Sequence, residues 1–183
     1  MRAVFIGIVL VGLLGFASYF FFVQRGSGPI MPEEKINKVD FSKVNSTFRF
    51  SGKIPAEFEM EYIPSLKATS IYDPRLPGEN IKEKSQIYIT SFEANRFLTL
   101  STVSITQQDE TLVKGHDAVL YEIAKKPGVP DFPGQPSWRN FKHTALDIRF
   151  TKNSPSVFYS FAYNPTLSES IFNDFIDSLV FLQ

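Results

Sequence analysis

Residues Ala3 to Val23 form an unbroken run of 21 residues without a charge, in which only Ser18 and Tyr19 carry polar side-chain atoms. At about 1.5 Å per residue a helix of that length spans about 30 Å, the hydrocarbon thickness of a bilayer. The bland alternative is a buried core helix, but such a helix is rarely apolar on every face, so the run predicts a membrane anchor. A cleaved signal peptide is the competing expectation, because Arg2 gives a charged start and Gly15-Phe16-Ala17 has small-x-small spacing. The apolar run continues through Tyr19-Phe20-Phe21-Phe22-Val23, however, and cleavage at Ala17 would leave an aromatic stub. Residues 1–23 are therefore expected to be an uncleaved anchor.

Orientation follows from flanking charge. Arg2 and the α-amino group favour a cytoplasmic N-terminus, while Arg25, Lys35, Lys38 and Lys43 on the far flank pull the other way. A very short basic start before an apolar run is how exported anchors begin. On that ground the rest of the chain is expected outside the cytoplasm, in a bacterial envelope. Gly7, Gly12 and Gly15 do not form a clean small-xxx-small pairing face.

Residues 24–43 read as a linker. Arg25-Gly26-Ser27-Gly28-Pro29 opens it, and a charged stretch without apolar period follows. Residues 44–183 are then one domain, long enough to bury about two thirds of its unfolded surface without disulfides or metal. The chain contains 19 Phe, ample material for a core. Its 19 basic and 19 acidic residues leave no positive surplus for phosphate neutralisation, so nucleic acid is not an expected partner. Cysteine is absent, which excludes thiol catalysis, thiolate zinc sites and cysteine acylation. Asn45-Ser46-Thr47 matches a glycosylation triplet, a pattern frequent by chance.

Past Thr47 the pattern is that of strands. Phe58-Glu59-Met60-Glu61-Tyr62 alternates with period two, and Thr69-Ser70-Ile71-Tyr72 is a short strand closed by Asp73-Pro74. Gln86 to Phe92 is β-branched and aromatic, and Leu98 to Thr106, His116 to Ala124, Thr144 to Phe150 and Val157 to Tyr163 follow. Ser154-Pro155-Ser156 reads as the hairpin turn between the last two. The C-terminus predicts a helix, with Ser168 at the N-cap and Ile171, Phe172, Phe175, Ile176 and Leu179 on one stripe. The expected class is α+β: an antiparallel β-sheet covered by a C-terminal helix, preceded by one N-terminal transmembrane helix.

Five segments carry a family likeness. They are Leu100-Ser101-Thr102-Val103, Lys114 to Glu122 with its turn Gly115 before Tyr121, His143 to Phe150, Val157 to Phe161, and Phe175-Ile176-Asp177-Ser178-Leu179-Val180-Phe181. This order resembles the C-terminal half of the PsbP-like superfamily, as found also in short bacterial membrane-anchored proteins. The resemblance covers roughly Leu98 to Leu182 and rests on structural residues. It departs from the group between Tyr72 and Gln86, where no helical periodicity is visible. Members of the group mostly act as binding or assembly domains, so the resemblance implies a scaffold in place of an enzyme.

Chemistry is sparse in the sequence. His116 and His143 lack a second ligand at helical spacing, but as neighbours in a sheet they could hold a metal with Asp117 and Asp147. Bland strand-end histidines are the competing reading. Serines occur without a Gly-x-Ser-x-Gly elbow. The segment Lys126 to Phe141 is the most distinctive: Pro127, Pro130, Pro133 and Pro136 recur every three residues, and Trp138 and Arg139 follow. Trp and Arg are the residue types of binding hot spots, which makes Phe132, Pro136, Trp138 and Arg139 candidate contact residues. The alternative is Trp138 folded back as a lid over the core. The expected function is a membrane-tethered, non-enzymatic binding or assembly domain for an envelope protein, with no cofactor. The alternatives are an envelope metal-dependent or hydrolytic enzyme using His116 and His143, or a small-ligand or metal-ion binder.

Overall fold

The computed structural model describes residues 36–97 and 101–182; the expected anchor over 1–23 lies outside the described residues. Among the described residues are ten strands: β1 (Ile36–Asp40), β2 (Phe50–Pro55), β3 (Glu59–Ile63), β4 (Ala68–Tyr72), β5 (Ser85–Ala94), β6 (Val103–Val113), β7 (His116–Lys125), β8 (His143–Arg149), β9 (Ser156–Tyr163) and β10 (Val180–Phe181). Two helices accompany them, the single turn α1 (Ile81–Lys84) and the nine-residue α2 (Glu169–Asp177).

The strands form two antiparallel sheets in place of the single sheet expected. Seven strands run in the order β3-β4-β5-β9-β8-β7-β6, and three in the order β1-β2-β10. Period-two alternation sends one side of the large sheet inward, where α2 and the small sheet cover it. Phe41, Phe48, Phe50, Tyr159, Phe161 and Phe175 are all sealed in that layer. The Phe50 and Tyr159 rings meet at 5.1 Å. The buried Tyr159 hydroxyl donates to the Thr47 carbonyl (2.9 Å) and accepts from the Arg49 amide (3.0 Å), so its polar tip is satisfied inside an aromatic cluster. The predicted helix is present, with Phe172, Phe175 and Ile176 buried. Ser168 stands at its N-cap position, but its hydroxyl pairs with Ser170 Oγ and does not cap the helix.

Three sequence expectations are corrected. The linker of 24–43 is too long: Ile36–Asp40 pairs with β2 over five positions, and Phe41 is a core residue. The strand expected at Leu98 to Thr106 begins at Val103 and runs on to Val113. Its second half is polar because β6 pairs only with β7 among the described residues and both its faces meet water. Between Tyr72 and Gln86 there is one helical turn, α1, whose Asn80 Oδ1 accepts from the Glu83 amide. No helix among the described residues is long and apolar enough to cross a membrane.

Candidate functional site

The outer face of the large sheet carries most of the unusual side chains. Register fixes them in cross-strand rows. One row runs Ser70, Tyr88, Ala162, Ala145, Tyr121, Gln108; the next runs Ala68, Thr90, Ser160, Asp147, Val119, Glu110. A third brings Phe92, Phe158 and Arg149 into line. In the first row two alanines separate Tyr88 from Tyr121, leaving a trough without bulky side chains.

The β7–β8 connection closes over that trough. Its 3-10 turn, Ser137–Asn140, places Trp138 inside a second apolar cluster with Tyr88, Tyr121, Ala145 and Ala162. The indole Nε1 donates to the Ser85 carbonyl at 3.0 Å, and its ring meets His143 edge-on at 5.4 Å. Ser137 Oγ donates to the Glu83 carboxylate (2.7 Å), and Asn140 Oδ1 accepts from the Phe132 amide (3.0 Å). The Arg139 guanidinium lies over the Tyr88 ring at 5.0 Å, with its Nε sealed from solvent and without a partner.

This closure displaces several titrations. His143, 4 % exposed, is drawn down to about 4 by burial, with the nearby Arg139 charge acting in the same sense and the Phe141 carbonyl opposing. Asp147, 5 % exposed, is pushed up to about 6 by burial, against the Ser160 hydroxyl and Arg139. Burial and the Asp147 charge raise Tyr121 to about 12. Such displaced groups mark catalytic sites when they line a cleft. Here His143 and Asp147 lie beneath the β7–β8 connection, while His143 also borders a cavity with Lys142 and Glu169 and Tyr121 borders another with Glu122 and Phe172.

The four weak metal candidates do not converge. In the antiparallel β7–β8 register His143 stands opposite Ile123, seven residues along β7 from His116. At about 3.3 Å per residue that is roughly 23 Å, beyond the reach of a single ion. His116 also points to the inner side, against Phe150 and Phe181, with Nδ1 3.2 Å from the Arg149 carbonyl. Asp117 lies beside Arg149 on the outer face. Among the described residues no group of three or more His, Asp or Glu is placed to hold a metal ion.

The binding candidates separate as well. Trp138 is 8 % exposed and Pro136 is buried, while Phe132 packs against the Trp138 cluster. These residues build the lid and are not displayed by it. The residue displayed is Phe141, 70 % exposed, which closes the distinctive segment Lys126 to Phe141 but is not among the candidate contacts, because the hot-spot argument centres on Trp138 and Arg139. Its backbone is held from both sides: the amide donates to the Trp138 carbonyl (3.1 Å), and its own carbonyl meets His143 Nδ1 at 2.8 Å.

No family model matches the chain, and no curated protein matches it. Among solved structures it is similar to the solution structure of cyanobacterial PsbP from Synechocystis sp. PCC 6803, at 10 % identity over 85 % of this chain and 97 % of that one, with a TM-score of 0.47. It is also similar to a crystal structure from Bacteroides thetaiotaomicron VPI-5482, at 13 % identity over 74 % of this chain with a TM-score of 0.39. The match covers 46 % of that longer chain. Similarities of this size assign no family, and the functional reading rests on the residues.

Proposed function

We propose that this chain is a membrane-tethered, extracytoplasmic binding domain without catalytic activity, whose partner is an envelope protein docking on Phe141. The apolar run Ala3 to Val23 supports the tether. The observation that carries the docking reading is Phe141 itself. A large aromatic ring is displayed to solvent on a backbone fixed at both its amide and its carbonyl. A preorganised aromatic loses little conformational freedom on binding, which is what a hot-spot residue requires. The neighbouring Lys142, paired with Glu122 at 2.9 Å, gives the rim a polar edge.

The enzyme reading using His116 and His143 is less favoured, since the two stand at opposite ends of β7–β8 and His143 lies under the lid. The test compares the full chain with Phe141→Ser in native membranes, by the size of the complex each forms after mild detergent extraction. Docking at Phe141 predicts a larger species for the wild type only, with equal thermal stability for both chains. Equal complexes from both would reject it.

A further inference from the structure

We propose that the part of the outer sheet face left open by the lid is a binding site for a small carboxylate with an apolar body, with Arg149 as its anion receptor. A cavity of about 600 Å³ lies there, lined chiefly by Phe97, Glu110, Leu112, Asp117, Val119 and Arg149. The floor is rigid. Phe92 and Phe158 stack at 5.1 Å with their planes 5° apart, and Phe97 meets Phe158 edge-on at 5.0 Å. On this aromatic frame the Arg149 guanidinium is held over Phe97 at 5.0 Å and Phe158 at 5.3 Å. Two rings therefore fix the orientation of its fork before any ligand arrives.

The charge on that fork is not neutralised at hydrogen-bond distance. The nearest acid among the described residues is Asp117, whose Oδ2 stands 3.9 Å from Nη1, and Nε is sealed without a partner. A planar, preoriented guanidinium is matched by a carboxylate through two parallel N–H···O bonds. Phe97, Val119 and the exposed Leu112 offer apolar wall to the remainder of such a ligand. Glu110 and Asp117 give this wall two acids beside one guanidinium, which opposes a dianion such as phosphate more than a monoanion. The attraction is therefore local to the Arg149 fork and needs the bidentate geometry of a carboxylate. The site stands apart from Phe141 and does not depend on the docking reading.

The test is titration of the full chain in lipid nanodiscs with benzoate, followed by saturation-transfer NMR and calorimetry, with benzyl alcohol and inorganic phosphate in parallel. Benzoate is expected to bind saturably, at millimolar dissociation constant or tighter, and better than either comparison compound. Arg149→Lys keeps a charge but loses the fork and the stacking, and is expected to weaken benzoate at least tenfold. Asp117→Asn removes the competing acid and is expected to tighten it several-fold. Leu112→Glu, at a position 68 % exposed, adds a repelling charge and is expected to weaken it should Arg149→Lys fail to fold. Absence of saturable benzoate binding, wild-type affinity in folded Arg149→Lys or in Leu112→Glu, or tighter binding of phosphate or benzyl alcohol would overturn the assignment.

Discussion

Trp138 donates its indole proton to the carbonyl of Ser85, 53 residues earlier in the chain, and this bond ties the proline-rich connection to the start of β5. The Ser137–Glu83 hydrogen bond and the Arg139–Tyr88 contact join the same two regions. The tryptophan is thus an anchor turned inward, and the residue it holds in place, Phe141, faces outward.

Truncating this anchor has a calculable cost. Trp138→Ala empties a site surrounded by Tyr88, Tyr121 and Ala145 and is expected to cost about 3–5 kcal/mol. Trp138→Phe keeps much of the volume and loses one donor, while Asn164 Nδ2 still reaches the Ser85 carbonyl at 3.3 Å, so about 1 kcal/mol is expected on that account. Urea unfolding followed by far-ultraviolet circular dichroism measures both. Equal, small losses for the two variants would show that the indole is not structural.

The buried titratable groups beneath the lid act on stability in opposite directions. His143 titrates near 4 when folded against 6.5 ordinarily, so its contribution is complete above pH 6.5 and is lost as pH falls towards 4. Asp147 titrates near 6 when folded against 3.8, so the folded chain takes up that proton first and stability is gained as pH falls from 6 towards 3.8. Each displacement corresponds to roughly 3 kcal/mol across its window. Between pH 6 and 4 the two effects largely cancel in the wild type. Asp147→Asn is expected to lose stability steadily over this window, and His143→Gln to gain it. Urea midpoints from pH 4 to 7 give the slopes, and unchanged slopes in both variants would contradict the burial described.

Packing between β2 and α2 yields a sharper steric test. A Cβ at Gly52 would lie 3.1 Å from the Phe175 ring and 3.3 Å from Leu179, with Ser178 Oγ at 3.5 Å. Gly52→Ala is therefore expected to push α2 away from the small sheet and cost about 1–3 kcal/mol. Gly115→Ala has nothing within 4 Å, and its cost, about 1 kcal/mol, comes from a φ of +81° alone. Thermal melts of the two variants separate crowding from backbone strain.

Much of the large sheet was legible in the sequence because most of its strands bury at least one face. Glu59 to Tyr62 alternates, and Ile87, Ile89, Tyr159 and Phe161 are strand formers at core positions. The signal fails where pairing is imposed by neighbours. Ile36-Asn37-Lys38-Val39-Asp40 packs only Val39 against the core, and it is a strand because β2 offers it an edge. Gln107 to Leu112 is solvated on both faces, so β6 shows no period beyond its first residues. At the outer face, Asp147 and Arg149 were legible as pointing away from the core. That a distant tryptophan would fold back near them depends on the Ser85 contact, which no local pattern encodes.

The most direct test of docking at Phe141 places a photo-crosslinking amino acid at position 141 of the full chain, expressed in its native membranes, with position 112 as an equally exposed apolar comparison. Leu112 is 68 % exposed, close to the 70 % of Phe141, so accessibility alone treats the two alike. Docking at Phe141 predicts a discrete adduct with one envelope protein from position 141 and none of that size from position 112. The same diffuse labelling at both positions, or no adduct at 141, would contradict it.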